Sequence, residues 1–288
     1  MKRSTVAATI GCTLIVLVAF VPAPVVAQTE TNAGQQVINY FIDLFNADWA
    51  IGTAYDNDTD GMGYAQSRSI SGSPTFIKQD PLFVSEHMAI TPVLSPDNSE
   101  AAIIALIDSA NESLFIEQIY VSGWLDDILL AIQAAHQRGV DVRVIQDHNG
   151  HHEDGSNILT TNGVSVRLLK PNASIGASFD SQHNKGVIVD GKLTLVCSIN
   201  WSPTSIRQNR EAGLIIESDT VAAYYTDLFM YDWDRSEPYV PTGPGSMLTG
   251  AGVAPFVPTT YSGTMNVTCL ASPDNCFDVV NDILVHAQ

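Results

Sequence analysis

Apolar residues recur along this chain at two periods, one helical and one extended. Ser95-Pro96-Asp97-Asn98 marks a helix start, with Ser95 as cap and Pro96 in the first turn; Ala101, Ile104, Leu106 and Ile107 follow as its apolar set. Leu114 to Val121 reads as a strand, Leu125 to Arg138 as an amphipathic helix stopped at Gly139, and Val140 to Gln146 as another strand. Asn162-Gly163 turns the chain into a strand from Val164 to Leu169. The β-branched run Gly186-Val187-Ile188-Val189 predicts a buried strand, Asp190-Gly191 a hairpin turn, and Lys192 to Val196 the returning strand. Such alternation predicts an α/β architecture with helices around a mostly buried sheet.

Two segment pairs match each other at long range. Val37 to Trp49 (VINYFIDLFNADW) resembles Val221 to Trp233 (VAAYYTDLFMYDW), 184 residues on. Met88 to Ser99 (MAITPVLSPDNS) resembles Met265 to Cys276 (MNVTCLASPDNC), 177 residues on. Two matches at nearly one spacing predict an internal repeat. The chain then divides into a helix remnant of a preceding repeat at 28–51, an acidic linker at 52–87, one complete repeat at 88–235, a Pro/Gly/Thr-rich linker at 236–264, and the head of a further repeat at 265–288.

Residues 1–27 read as a signal peptide. Lys2-Arg3 is its basic region, Val6 to Val21 its apolar core, and Val25-Val26-Ala27 a small-residue cleavage site. Pro22, Pro24 and the short core favour cleavage and secretion over retention as an anchor. No later stretch is long enough to span a bilayer. The formal charge of −18 falls to −20 once Lys2 and Arg3 leave with this acid-free segment, which disfavours nucleic acid and anionic membranes as partners. Arg138, Arg143, Arg167, Lys170, Lys185, Lys192, Arg207 and Arg210 all fall in the complete repeat, which suggests a locally positive phosphate pocket inside an acidic shell. The competing reading makes them ordinary partners of surface carboxylates.

The candidate chemistry lies between His183 and Asn200. His183, Lys185, Asp190, Ser198 and Asn200 have the spacing H-x-K-x4-D-x6-(G)-S-x-N. A His can attack phosphorus, a second His can protonate the leaving alcohol, and Lys and Asn can stabilise the charge on the nonbridging oxygens. The two-residue step from His183 to Lys185 puts both side chains on one face of a strand. With Arg138-Gly139-Val140-Asp141-Val142-Arg143-Val144 as a helix-to-strand junction, this region resembles the phospholipase D superfamily from about Ser95 to Trp233.

The resemblance implies an α/β/α sandwich with a central mixed sheet, present as one complete repeat. It implies a metal-free and cofactor-free phosphodiesterase acting through a covalent phosphohistidine on His183. Lys185, Ser198 and Asn200 would then bind phosphate, Asp190 would be structural or orient a His, and Glu211 would orient the partner His. Phospholipids are the expected substrates, with a superfamily endonuclease or a decayed, noncatalytic assembly module as alternatives. Family sites use two motifs facing each other across a twofold or pseudo-twofold axis. No second H-x-K-x4-D occurs, since His136-Gln137-Arg138 sits at a helix end and His87 lacks the Lys. The second motif is therefore expected from a homodimer partner or from a segment beyond Gln288. Cys197 stands where the family usually has Gly, a change expected to crowd the pocket.

Other candidates carry less. Asp56, Asp58 and Asp60 open a D-x-D-x-D-G calcium-loop pattern whose twelfth position is Ser67 rather than Glu, so a solvated linker competes with calcium. His148, His151, His152, Glu153 and Asp154 could ligate zinc or form a polar rim at the mouth of the site. Cys269 and Cys276 could close a short disulfide, and Cys197 reads as a buried free thiol. Trp124 and Trp201 could meet substrate or pack in the core.

Overall fold

The computed structural model describes residues 32–52, 80–170, 179, 181–272 and 275–287. The candidate signal peptide and the Asp56, Asp58, Asp60 calcium pattern lie outside them.

A nine-stranded mixed sheet forms the middle layer. Its strands are β1 (Leu82–Ser95), β2 (Ser113–Gln118), β3 (Asp141–Asp147), β4 (Ser165–Leu169), β5 (Gly186–Val189), β6 (Leu193–Cys197), β7 (Glu211–Glu217), β8 (Glu237–Pro238) and β9 (Tyr261–Cys269), in the spatial order β8-β4-β3-β2-β5-β6-β7-β1-β9. Strands β2, β3 and β4 are parallel neighbours, as helical crossovers require, and the other pairings are antiparallel. Helices α2 (Ser99–Asp108), α3 (Asp126–Gln137), α4 (Glu153–Thr161) and α5 (Pro203–Arg207) bury Ile103, Ile107, Ile128, Ile132, Leu159 and Ile206 on one face. Helices α1 (Ala33–Ile51) and α6 (Asp219–Arg235) bury Val37, Val221 and Phe229 on the other. The result is the expected α/β/α sandwich. A seventh helix, α7 (Cys276–His286), ends the described chain. No helix among the described residues is long and apolar enough to cross a membrane.

Sequence boundaries shift where tertiary contacts take over. The linker expected to end at residue 87 already contains the first residues of β1, and Tyr261 to Thr264 of the second linker belong to β9. The rest of that second linker straps α3 and α4: Asn157 accepts from the Tyr239 hydroxyl at 3.0 Å, Asp126 from Thr249 N at 3.1 Å, and Asp127 from Gly252 N at 3.0 Å. Helix α4 begins within the His148 to Asp154 segment; its Gly155 lies so close to Val121 that a Cβ there would meet the Val121 carbonyl at 1.9 Å.

Strands β1 and β9 pair so that His87 lies opposite Thr264, its mate at the 177-residue offset. The turns that follow are built alike. Asn98 Oδ1 accepts from Leu94 N at 2.9 Å and Asn275 Oδ1 from Ala271 N at 3.1 Å. Phe45 stacks on Trp49 in α1 as Phe229 stacks on Trp233 in α6. The surroundings differ: Phe229 is buried against Phe115 of β2, whereas Phe45 is 61% exposed.

Candidate functional site

The residues Ser181 to Lys185 run, without regular structure, into the start of β5. Gln182 is buried, with its Nε2 donating to Glu117 Oε1 at 3.0 Å; His183 is exposed; Lys185 is buried. Asp147, the last residue of β3, fixes this entry. Its Oδ2 accepts from Gln182 N at 2.8 Å and Ser181 Oγ at 3.0 Å, while Oδ1 accepts from Asn149 N at 2.8 Å and Gly150 N at 2.6 Å. Lys185 Nζ lies 2.8 Å from His183 Nδ1 and donates to the His183 carbonyl at 2.6 Å. The His–Lys pair is thus a geometric unit, as the two-residue step predicts.

The hairpin brings the second part of the motif alongside. Cys197 N donates to the Lys185 carbonyl at 3.2 Å, and Ser198 N donates to the Ala212 carbonyl at 2.9 Å. Ser198 Oγ donates to Glu211 Oε2 at 2.6 Å and accepts from Ala212 N at 3.2 Å, so its hydroxyl ties β6 to β7. Glu211 also accepts from Asn209 Nδ2 at 3.3 Å. Asn200 Oδ1 is buried and has no hydrogen-bond partner among the described residues. Gln118 Oε1 and Nε2 and Gln146 Nε2 share that condition, on fully buried side chains facing each other across β2 and β3. Of these unmatched atoms, the Nε2 groups of Gln118 and Gln146 are donors of the kind an oxyanion accepts from, whereas Asn200 Oδ1 is an acceptor open to a donor.

Asp190 takes no part in this cluster. It sits in the turn at the opposite end of β5, about 16 Å of extended chain from Lys185. Its carboxylate accepts from Glu112 N at 2.8 Å, Ser113 N at 2.9 Å and Asn111 N at 3.0 Å. Burial pushes its pKa up, but the donors of Ser113, Glu112 and Asn111 outweigh that and hold it below the ordinary value. Of the two roles the resemblance implies for it, the contacts fit the structural one: Asp190 anchors the hairpin to the turn between α2 and β2. The left-handed φ of 53° at Asp190 is one that Asp tolerates.

Cys197 does not crowd the pocket. It packs into the core on β6 with Sγ 3.4 Å from the Lys185 carbonyl, opposite Gly213, where a Cβ would stand 2.4 Å from its own. The glycine expected at 197 has its space compensated at 213. Burial pushes the thiol up to about 12, so it stays protonated and donates.

Other expectations are corrected by contacts. Cys269 and Cys276 carry free thiols; Cys269 is buried in the apolar cluster under α6, and the turn between them is closed by Asn275 instead. The His148–Asp154 cluster is dispersed: His151 Nδ1 meets the His148 carbonyl, His152 stacks on Tyr120, Glu153 accepts from Thr242, and Asp154 accepts from Gly155 N. No group able to hold a metal occurs among the described residues. Trp201 is fully buried beside Val121, while Trp124 is 77% exposed. The basic residues do not form a positive pocket. Arg138 caps the carbonyls of Asp108 and Ala110, Arg143 pairs with Asp141, Arg167 donates to the Trp233 carbonyl, and Arg207 and Arg210 pair with Glu100, Asp48 and Asp97. Lys185 is bonded to the motif His.

Sequence reasoning passed over Glu117, Gln118, Gln146, Asp147 and Asp232, all buried. The available signal was the pair of polar residues, Glu117-Gln118, closing an apolar strand.

The family described as cardiolipin synthase, PLD-like domain, matches residues 103–233. A mitochondrial cardiolipin hydrolase from Xenopus tropicalis is 30% identical over 149 residues, covering 51% of this chain and 67% of that protein. One from Canis lupus familiaris is 33% identical over 131 residues, covering 44% and 48%, so the chain spans about half the length of several curated relatives it matches. The crystal structure of a phospholipase D family member, Nuc from Salmonella typhimurium, aligns at 23% identity with a TM-score of 0.45, over 53% of this chain and 98% of that one. With the motif spacing from His183 to Asn200 inside the matched region, this chain belongs to the phospholipase D superfamily.

Proposed function

We propose that this chain is a phospholipase D-like phosphodiesterase that cleaves phospholipid diesters through a phosphohistidine on His183. The observation that carries the reading is the exposed His183 held by the buried Lys185 at 2.8 Å. The kinship with cardiolipin hydrolases supports a lipid phosphodiester as substrate. The net charge of −18 weighs against a nucleic acid.

His183 Nε2 would attack phosphorus, forming P–N as the P–O bond breaks, and the leaving oxygen would take a proton from a second His. Water would then break P–N and release the monoester. An ammonium donating to Nδ1 puts the imidazole proton on Nε2, which masks the nucleophile. Phosphate would draw Lys185 towards itself and let the ring adopt the reactive tautomer.

The second His is proposed to come from another copy of the chain. We read α1, β9 and α7 as the remnant of a second half, supported by the His87–Thr264 pairing and the matched turns. The local twofold of that pairing cannot generate the partner motif. Ser95, opposite Glu211 at the site end of β1, lies eight residues or about 26 Å from it, which puts a symmetry-related site about 50 Å away. A copy docked across the motif end avoids that separation. We propose export through the N-terminal segment, in line with its basic and apolar regions.

The test uses residues 28–288 with a chromogenic phosphodiester quenched in acid, read by intact mass and light scattering. An adduct formed by a dimer and absent in His183→Ala is expected. A monomer without adduct or turnover would overturn the proposal, and cleavage of DNA in preference to lipid diesters would move it to the nuclease reading.

A further inference from the structure

Behind the motif lies a second polar cluster that the proposed chemistry does not use. Gln182 reaches Glu117 and Asn184 lines the space under α6, whereas Lys185 reaches back to His183. There Glu117 of β2, 6% exposed, accepts from Gln182 Nε2 at 3.0 Å and is hydrogen-bonded to Asp232 of α6 and to Asn184. Asp232 is 5% exposed. Phe115, Tyr225, Leu228 and Phe229 surround Glu117 with apolar side chains and enclose a cavity of about 30 Å³.

Two carboxyl groups bond to each other only if a proton lies between them, and two buried carboxylates at that distance repel strongly. Three other charged groups near this face hold other partners. Arg143 of β3 lies over Phe115 and pairs with Asp141; Arg167 of β4 donates to the Trp233 carbonyl; Asp147 at the end of β3 holds Gln182 N and Ser181. From α6, Tyr225 also lines the cavity; Lys185, at the entry to β5, lies beside His183.

We propose that Glu117 and Asp232 share one proton and act as a positioning pair, gripping Gln182 and Asn184 so that His183 and Lys185 are held in register. The inference rests on the phosphodiesterase reading and names what orients its nucleophile. Burial pushes the Glu117 carboxyl up, against hydrogen bonds from Gln182, Asp232 and Asn184 that pull it down. The folded chain therefore keeps this proton over a pH range in which the unfolded chain has lost it, so stability and activity both fall as pH rises through that range.

The experiment compares wild type, Glu117→Gln, Glu117→Ala and Asp232→Asn by three readouts: the pH profile of kcat/KM on a chromogenic phosphodiester, the infrared carboxylic-acid band at neutral pH, and the NMR position of the His183 ring. Gln keeps the bonds and needs no proton, so Glu117→Gln should retain neutral activity and the His183 signal while losing the infrared band and the alkaline limb. Glu117→Ala should lower kcat about ten- to hundredfold and move the His183 signal. A merely structural role would lower thermal stability without changing the pH profile or that signal. Wild-type activity in Glu117→Ala, or no carboxylic-acid band in wild type, overturns the inference. If wild type cleaves no diester, the functional proposal fails, while the infrared band and the His183 signal still decide the pairing.

Discussion

Asp190 offers the sharpest separation between an anchoring and a catalytic role. Asp190→Ala removes the acceptor of three backbone N–H groups, at 2.8, 2.9 and 3.0 Å, and puts a Cβ-bearing residue with no compensating side-chain bond at φ 53°. Bonds to a charged acceptor contribute about 1.5–3 kcal/mol each when buried, but this turn is only half-buried and water can replace part of the loss. About 2–3 kcal/mol for the three bonds and about 1 kcal/mol for the left-handed backbone give a loss of about 3–4 kcal/mol. For a domain of this size that lowers Tm by roughly 10 °C. Asp190→Asn keeps one acceptor and the tolerance of that φ, so about half the loss is expected. Because the folded carboxyl lies below its ordinary value, its contribution is present above the unfolded pKa and fades as pH falls through the folded one. The wild-type advantage in urea-unfolding free energy should therefore shrink on acidification. Below Tm, kcat on a phosphodiester should be unchanged. A tenfold loss of kcat with an unchanged Tm would refute the anchoring role.

Gly213→Ala brings a Cβ to 2.4 Å from Cys197 Cβ and should cost about 1–3 kcal/mol, and Cys197→Gly in the same chain should recover most of it; additive losses in urea titrations would refute the complementarity. Cys197 and Cys269, both pushed up to about 12 by burial, should resist alkylation in the native protein at neutral pH, and all three described cysteines should titrate as thiols in denaturant without reductant. Two missing thiols would show a disulfide. Asn98→Ala removes the acceptor of Leu94 N and should cost about 1 kcal/mol, whereas Asn275→Ala, at a buried position that also donates to Tyr224, should cost at least as much; a smaller loss for Asn275→Ala in thermal melts would contradict that ranking.

The elements that the sequence specifies locally lie close to where their patterns put them. Helix α3 begins one residue after Leu125 and ends before Gly139, whose φ of 92° is a stop only glycine adopts readily. The hairpin around Asp190-Gly191 was legible because turn chemistry is local, and the pairing of His183 with Lys185 was legible because a two-residue step is local too. Helix α4 was not, since its Gly155 opens it only by fitting beneath the Val121 carbonyl. The strap from Tyr239 to Gly252 reads as a linker until Asn157, Asp126 and Asp127 are seen to hold it.

By itself, then, the sequence determined the α/β class, the superfamily and the pairing of His183 with Lys185, because periodicity and short spacings set local geometry. Tertiary structure alone decided that Asp190 anchors a turn at the far end of β5, that Gly213 makes room for Cys197, and that Ser198 bonds to Glu211. It also placed Glu117 and Asp232, 115 residues apart, against each other behind the motif. Each of these depends on which strands lie side by side and which face meets a helix, a choice made by the burial of the whole sheet rather than by any one segment.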